Sequence, residues 1–337
     1  MNEYTHQYSL ASPNLDSARV IAIDLGGTNL RAAAISNKGE IQERLKRPTP
    51  RTGNPAEIVH ALCVAARECA QALLSANEAS SSTAIKALSV VVPGTVETKS
   101  GVLINAPNIP CLNNFPLQAA LEKELSWPVI LENDANAAAL GEMWRGAARG
   151  MNTFLCLTLG TGVGGGIILD GELWRGVDGT AGEIGHMNVE PEGGPCSCGN
   201  RGCLEVYASA TAIVRMAREM LAHYPQSSLK DSSELTAEKV YQSGVEEDEL
   251  ARAVFKRIGR YLGIALASLI NLLNPEMIVI GGGAAAGWNL FINEVHKQVG
   301  ERAFAVPAQS AQIVRAECGD DAGLLGAAYL AFARGAN

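Results

Sequence analysis

The stretch Arg19-Val20-Ile21-Ala22-Ile23-Asp24-Leu25-Gly26-Gly27-Thr28-Asn29-Leu30-Arg31-Ala32-Ala33-Ala34-Ile35 decides the fold. Two short apolar, β-branched runs flank Gly26, Gly27 and Thr28, which is the pattern of a tight hairpin. A second unit of the same kind lies at Phe154 to Leu169, where an apolar run reaches Leu159-Gly160-Thr161-Gly162 and continues through Gly166 into Ile167-Ile168. Laying Leu25-Gly26-Gly27-Thr28 over Leu159-Gly160-Thr161-Gly162 suggests an internal duplication with one hairpin in each of two domains.

Working outward, helical periodicity covers 55–76, 116–125 and 134–146, and strand-like runs cover 85–92 and 128–131. A long periodic stretch from Ala251 to Leu273 stops at Asn274-Pro275, and Met277 to Ile280 reads as a buried strand entering Gly281-Gly282-Gly283. His223 to Glu234, rich in serine and charge, reads as a surface loop. Alternating strands and helices make this an α/β protein. At ~150 residues per domain, the 337 residues suffice for two. The expected boundaries are a flexible leader at 1–18, a small α/β domain from 19–133 plus about 318–337, and a large α/β domain at 134–317.

Charge and composition exclude several classes. Lys plus Arg total 27 against 35 Asp plus Glu, a formal net charge of −8, so no basic face for nucleic acid is expected. Hydrophobic residues at 47% and charged residues at 18% fit a soluble globular chain. Neither a signal-peptide core nor a run of ~20 apolar residues is evident, so a cytoplasmic protein without membrane contact is expected.

Gly160-Thr161-Gly162-Val163-Gly164-Gly165 satisfies the spacing G-x-G-x-x-G of dinucleotide-binding proteins. That fingerprint must open a helix, whereas here the chain runs on through Ile167 to Leu169 into the turn Asp170-Gly171, which excludes a dehydrogenase. Glycines in a hairpin loop still let backbone N–H groups converge on phosphate. Asp24 is either a turn-stabilising residue or a water-mediated holder of Mg²⁺. Glu132-Asn133-Asp134, between a strand and an Ala-rich helix, offers either a helix cap or a carboxylate at a strand's C-terminal end that takes a proton from a substrate hydroxyl.

Eight cysteines are present, and Cys196, Cys198 and Cys203 follow His186 in the array His-x9-Cys-x-Cys-x4-Cys. Three thiolates and an imidazole close a tetrahedral Zn²⁺ site with no open position, which is structural rather than hydrolytic. The loop 185–203 has little apolar content, so the metal is the expected source of its order.

These motifs together resemble the ROK family of sugar kinases and sugar-responsive repressors, over about Val20 to Ala333. The resemblance rests on Asp24-Leu25-Gly26-Gly27-Thr28-Asn29-Leu30-Arg31 and on Leu159 to Gly166 as two phosphate loops. It rests also on Glu132-Asn133-Asp134-Ala135-Asn136-Ala137, and on Gly182-Glu183-Ile184-Gly185-His186 followed by Cys196-x-Cys198-Gly199-x-x-Gly202-Cys203-x-Glu205. It implies a two-domain actin-like, hexokinase-like ATPase fold built from ribonuclease H-like repeats. It implies Asp134 as base for a sugar 6-hydroxyl, with Asn133, Glu183, His186, Glu205 and Gly94 at the sugar. Mg-ATP would be held by Asp24, Gly26, Gly27, Thr28, Asn29, Gly160, Thr161 and Gly162, with Gly281, Gly282 and Gly283 near the adenosine. The partners implied are a hexose, with glucose ahead of mannose, fructose and the N-acetylhexosamines, and a second copy in a homodimer. One departure stands out: Val91 occupies the first glycine position of the family's Gly-x-Pro-Gly. About 18 residues precede the first strand, fewer than a two-helix DNA-reading unit needs, which sets a repressor behind a kinase. If one ring nitrogen of His186 ligates zinc, the other is left for the sugar, and loss of the metal is expected to weaken sugar binding strongly and to affect nucleotide binding at the glycine hairpins less.

Overall fold

The computed structural model describes residues 18–76, 85–232 and 234–334. The expected leader lies almost wholly outside them. Two compact units are present. The first runs through Arg149 and includes Arg175–Ala181 and the chain from Asp320 onward; the second holds Gly150–Trp174 and Gly182–Gly319.

The first unit contains β1 (Arg19–Leu25), β2 (Asn29–Ser36), β3 (Ile41–Pro48), α1 (Pro55–Ala76), β4 (Ile85–Val92), a small β5 (Thr95–Glu97) and β6 (Val102–Asn105) pair, α2 (Leu117–Leu125), β7 (Val129–Asn133) and α3 (Asp134–Arg145). Its main sheet has the order β3-β2-β1-β4-β7, antiparallel at the β1–β2 and β2–β3 pairs and parallel from β1 onward. Val90, Val91 and Val92 are consecutive and all buried, as expected of a parallel strand covered on both faces. Val91 approaches Gly323 of the C-terminal helix, so this departure from the family pattern is a packing residue.

Helix α3 corrects the expected boundary at 133/134. A Cβ on Gly326 of the C-terminal helix Ala322–Arg334 would lie 1.7 Å from the Ala137 carbonyl oxygen, and one on Gly141 would lie 2.1 Å from that of Ala322. The two helices meet backbone to backbone at glycine, so α3 stays with the first unit and the division falls after Arg149. Helix α1 corrects a second expectation. By length and composition its residues Pro55–Ser75 suffice to cross a bilayer. Yet Ile58, Leu62, Ala66 and Leu73 are buried in the core beneath β1 and β2, as in a core helix.

The second unit contains β8 (Phe154–Leu159), β9 (Val163–Leu169), β10 (Glu172–Leu173), α4 (Glu205–Ala208), α5 (Ala210–Met220), α6 (Ala237–Val245), α7 (Glu249–Leu273), β11 (Met277–Gly281), α8 (Trp288–Arg302), α9 (Ala305–Ser310) and β12 (Gln312–Arg315). Its sheet order, β10-β9-β8-β11-β12, repeats that of the first unit strand for strand. Asp248 caps α7 by accepting from the Ala251 N–H at 3.0 Å, and Asn274 ends it in the left-handed conformation before Pro275. The segment read as a loop at 223–234 carries a short 3₁₀ turn at Ser228–Asp231.

Candidate functional site

In the first unit, the junction of β7 and α3 separates two readings that the sequence leaves open. Asn133 is the helix cap: its Oδ1 accepts from the N–H groups of Ala135 and Asn136 at 2.9 and 3.0 Å. Its Nδ2 donates to the Gly94 carbonyl oxygen at 3.0 Å, which places Asn133 and Gly94 together. Asp134 follows as the first helical residue and is exposed, so a carboxylate is displayed at the C-terminal end of a central strand. Glu132 is buried and committed. Its Oε2 accepts from Arg175 Nε and Nη2 at 2.8 and 2.7 Å, and its Oε1 from the Asn133 N–H and Asn136 Nδ2, both at 3.1 Å. Of these two carboxylates, Asp134 is the solvent-accessible one, and its Oδ1 accepts from the Ala135 N–H at 2.9 Å. Arg175 has no local signal in the sequence, since its partner lies 43 residues away.

Asp24 and Arg31 are register partners across β1 and β2, and their side chains form an ion pair. Arg31 Nη1 also donates to the Asp320 carbonyl oxygen at 2.9 Å. The loop between them is fastened from behind by Thr49. The Thr49 N–H donates to Thr28 O at 2.9 Å and its hydroxyl to Gly26 O at 2.6 Å. Gly27, Thr28 and Asn29 are exposed at the tip.

In the second unit the loop at residues 160–162 is fastened in the same way by another threonine. The Ala210 N–H donates to Gly160 O at 2.8 Å and the Thr211 hydroxyl to Thr161 O at 2.9 Å. Glu205 adds a third tie, its Oε2 accepting from the Val163 N–H at 3.0 Å. Gly160 and Thr161 then border a cavity of about 490 Å³ whose apolar walls include Ile213, Tyr241, Phe255 and Ala284. Of the three glycines expected near an adenosine, only Gly283 lines it. Gly281 is buried in β11, and Gly282, at φ 86°, crosses over Leu159.

The metal array closes in space. One ligand atom from each of His186, Cys196, Cys198 and Cys203 lies within 4.8 Å of the others. His186 Nδ1 is 3.6 Å from Cys196 Sγ, and Cys198 Sγ is 3.7 Å from Cys203 Sγ. A tetrahedron with Zn–S bonds of ~2.3 Å has edges of about 3.8 Å, so the four donors fit Zn²⁺. Their electrostatics agree. Burial, reinforced by the neighbouring Cys196 and Cys198, pushes the Cys203 thiol up to about 12, a penalty that a bound dication reverses. The Asn200 backbone N–H pulls Cys198 below the ordinary thiol range. His186 Nε2 points the other way, 3.9 Å from Glu183 Oε2.

Loop 185–203 has ties besides the expected metal. The Tyr207 hydroxyl oxygen accepts from the Gly194 N–H at 3.1 Å, and its ring stacks on Tyr261 at 4.0 Å between centroids. Asn188 Nδ2 donates to Arg201 O at 2.6 Å, and the Val189 and Leu204 N–H groups bond Gly202 O and Met187 O at 2.8 and 2.9 Å.

These two repeats, the displayed aspartate and the closed His/Cys₃ cluster define a class, and comparison with known proteins agrees with it. The ROK family model matches residues 20–334, and the chain belongs to the ROK family. A glucokinase of Halalkalibacterium halodurans is 40% identical over 317 residues, covering 92% of this chain and 94% of that one. A xylose repressor of Caldicellulosiruptor bescii is 33% identical over 72% of this chain and 61% of its own length. The crystal structure of a ROK family glucokinase from Streptomyces griseus, in complex with glucose and AMPPNP, superimposes with a TM-score of 0.79 at 33% identity, covering 93% of this chain and 98% of that chain.

Proposed function

We propose that this ROK protein is an ATP-dependent sugar kinase that converts glucose to glucose 6-phosphate. The observation that carries the reading is the arrangement at the β7–α3 junction: Asn133 caps the helix, Glu132 is buried against Arg175, and Asp134 stands exposed at the start of the helix. Asp134 accepts the proton of the sugar 6-hydroxyl as that oxygen forms its bond to the γ-phosphorus of ATP. The bond from that phosphorus to the bridging oxygen breaks, and ADP leaves. The two glycine loops receive donor phosphates on backbone N–H groups, and the cavity beside Thr161 receives the adenosine. His186, Cys196, Cys198 and Cys203 would hold zinc, which supplies structure and no step of the transfer. Glucose is supported by the glucokinase relatives at high coverage.

A coupled ADP-release assay across hexoses and N-acetylhexosamines tests the proposal. The expected outcome is the highest kcat/KM with glucose. A preference for N-acetylmannosamine or N-acetylglucosamine would move the acceptor, turnover with polyphosphate in place of ATP would move the donor, and no turnover with any sugar would overturn the kinase reading. The homodimer and the cytoplasmic location belong to the same proposal; a monomer-sized particle in light scattering would remove the first.

A further inference from the structure

The chain leaving the metal cluster is the chain that fastens the second phosphate loop. Cys203 is followed two residues later by Glu205, and within the next six residues come Ala210 and Thr211. Glu205 Oε2 accepts from the Val163 N–H, and a Cβ on Gly162 would fall 2.3 Å from that same oxygen. Ser197, between two ligand cysteines, has its Oγ 3.5 Å from Glu205 Oε1. Ala210 N–H and the Thr211 hydroxyl take the carbonyls of Gly160 and Thr161, turning them toward the protein. A loop that receives phosphate on N–H groups must turn its carbonyl oxygens away, because a carbonyl facing the anion repels it. The ties to 205–211 do this, and that segment continues directly from Cys203, the last residue of the cluster.

We propose that Glu205 and Thr211 are positioning residues for the phosphoryl donor, so that the His186/Cys₃ cluster governs the affinity for nucleotide and not only that for sugar. This goes beyond the expectation that the metal acts less on nucleotide than on sugar, and it rests on the reading of this protein as an ATP-dependent kinase. Thr211 is the cleaner probe, because Glu205 is also a candidate sugar residue. Thr211→Val keeps the shape and removes the hydroxyl donor; Thr211→Ser restores it.

The experiment is calorimetric titration of AMPPNP and, separately, of glucose into zinc-loaded wild type, Thr211→Val, Thr211→Ser and chelator-treated wild type, with circular dichroism on each sample. One net hydrogen bond corresponds to about three- to tenfold in affinity. The expected result is that Thr211→Val weakens AMPPNP by that factor with the glucose Kd unchanged, and that Thr211→Ser recovers it. Folded metal-free protein is expected to lose at least that factor for AMPPNP. An unchanged AMPPNP Kd in Thr211→Val, or in folded metal-free protein, overturns the proposal, as does an equal loss for both ligands in Thr211→Val. If the metal-free chain unfolds, the zinc-loaded Thr211 variants decide. Failure of the zinc-loaded wild type to bind AMPPNP at all would instead overturn the kinase reading.

Discussion

The two glycine hairpins stand on sheets of identical strand order, β3-β2-β1-β4-β7 and β10-β9-β8-β11-β12, and each has a threonine hydroxyl and a backbone N–H holding two loop carbonyls. They differ in where the fastening comes from. In the first, Thr49 arrives from the strand next to the hairpin, and the pair Asp24–Arg31 braces its base. In the second, Thr211 and Glu205 arrive from the chain that follows the cysteine cluster. The repeats also diverge at the fifth strand: β7 leads into Glu132-Asn133-Asp134, while its counterpart β12 ends on Val314-Arg315. A duplicated scaffold repeats the hairpin and leaves each copy to recruit its own carboxylates. Under the proposed function, proton transfer would fall to one repeat and donor placement beside the His186/Cys₃ cluster to the other.

The largest effect should come from the carboxylate found in one repeat only. Asp134→Asn keeps side-chain shape, and Asn133 still caps α3, so the fold should be unaffected. Losing the base should lower kcat by ~10² to 10⁴. Near wild-type turnover in the purified variant would return the difference between β7 and β12 to mere sequence drift.

The anchor behind that carboxylate comes next. Glu132 is 2% exposed and Arg175 25%, so removing one partner leaves the other nearly buried and uncompensated. Arg175→Met should cost about 3 kcal/mol or more in urea unfolding, from the general penalty for breaking a buried pair. It should also lower kcat, since Glu132 Oε1 holds the Asn133 N–H. A loss below ~1 kcal/mol, the range of exposed pairs, would show that the segment Arg175–Ala181 is held by other contacts.

Valine at the two loop glycines compares the copies directly. At Gly27 the new Cβ would meet the Asn108 side chain at 2.9 Å; at Gly162 it would displace the Glu205 carboxylate. Gly27→Val should raise the nucleotide KM more than the sugar KM. Gly162→Val should raise both, because Glu205 loses its place. Stranding the Val163 N–H at ~1 to 3 kcal/mol corresponds to roughly 5- to 150-fold. Steady-state kinetics with each substrate varied in turn measures the split, and identical patterns in the two variants would deny Glu205 its separate role.

Most of this was legible where the physics is local. Glycine between β-branched runs specifies a hairpin within a dozen residues, and the spacing of His186 and three cysteines marks a cluster that fits a metal before any fold is known. What escaped is tertiary. Helix α3 looks like the start of a second domain until Gly141 and Gly326, far apart in sequence, let it lie against the C-terminal helix. Arg175, Thr49 and Thr211 are ordinary residue types whose partners are set by the sheet and by loop closure, so no window of sequence marks them. Helix α1 passes for a membrane span by composition because a helix with one buried face in a core is nearly as apolar as one in lipid.

The smallest effect is also the finest comparison between the hairpins. Thr49 is 5% exposed and Thr211 is exposed, although each donates its hydroxyl to a loop carbonyl. When Thr49→Val removes its hydroxyl, water has poor access to replace the bond to Gly26 O, so the cost should be about 1 kcal/mol. When Thr211→Val does the same, water can satisfy Thr161 O, and the cost should stay within ~0.5 kcal/mol. Stability and function should therefore separate: Thr49→Val lowers the urea midpoint at unchanged slope, whereas Thr211→Val leaves the midpoint nearly fixed and acts on nucleotide affinity. Equal midpoint shifts would mean that both threonines serve folding alone, and the second hairpin would lose its distinct link to the segment that follows the His186/Cys₃ cluster.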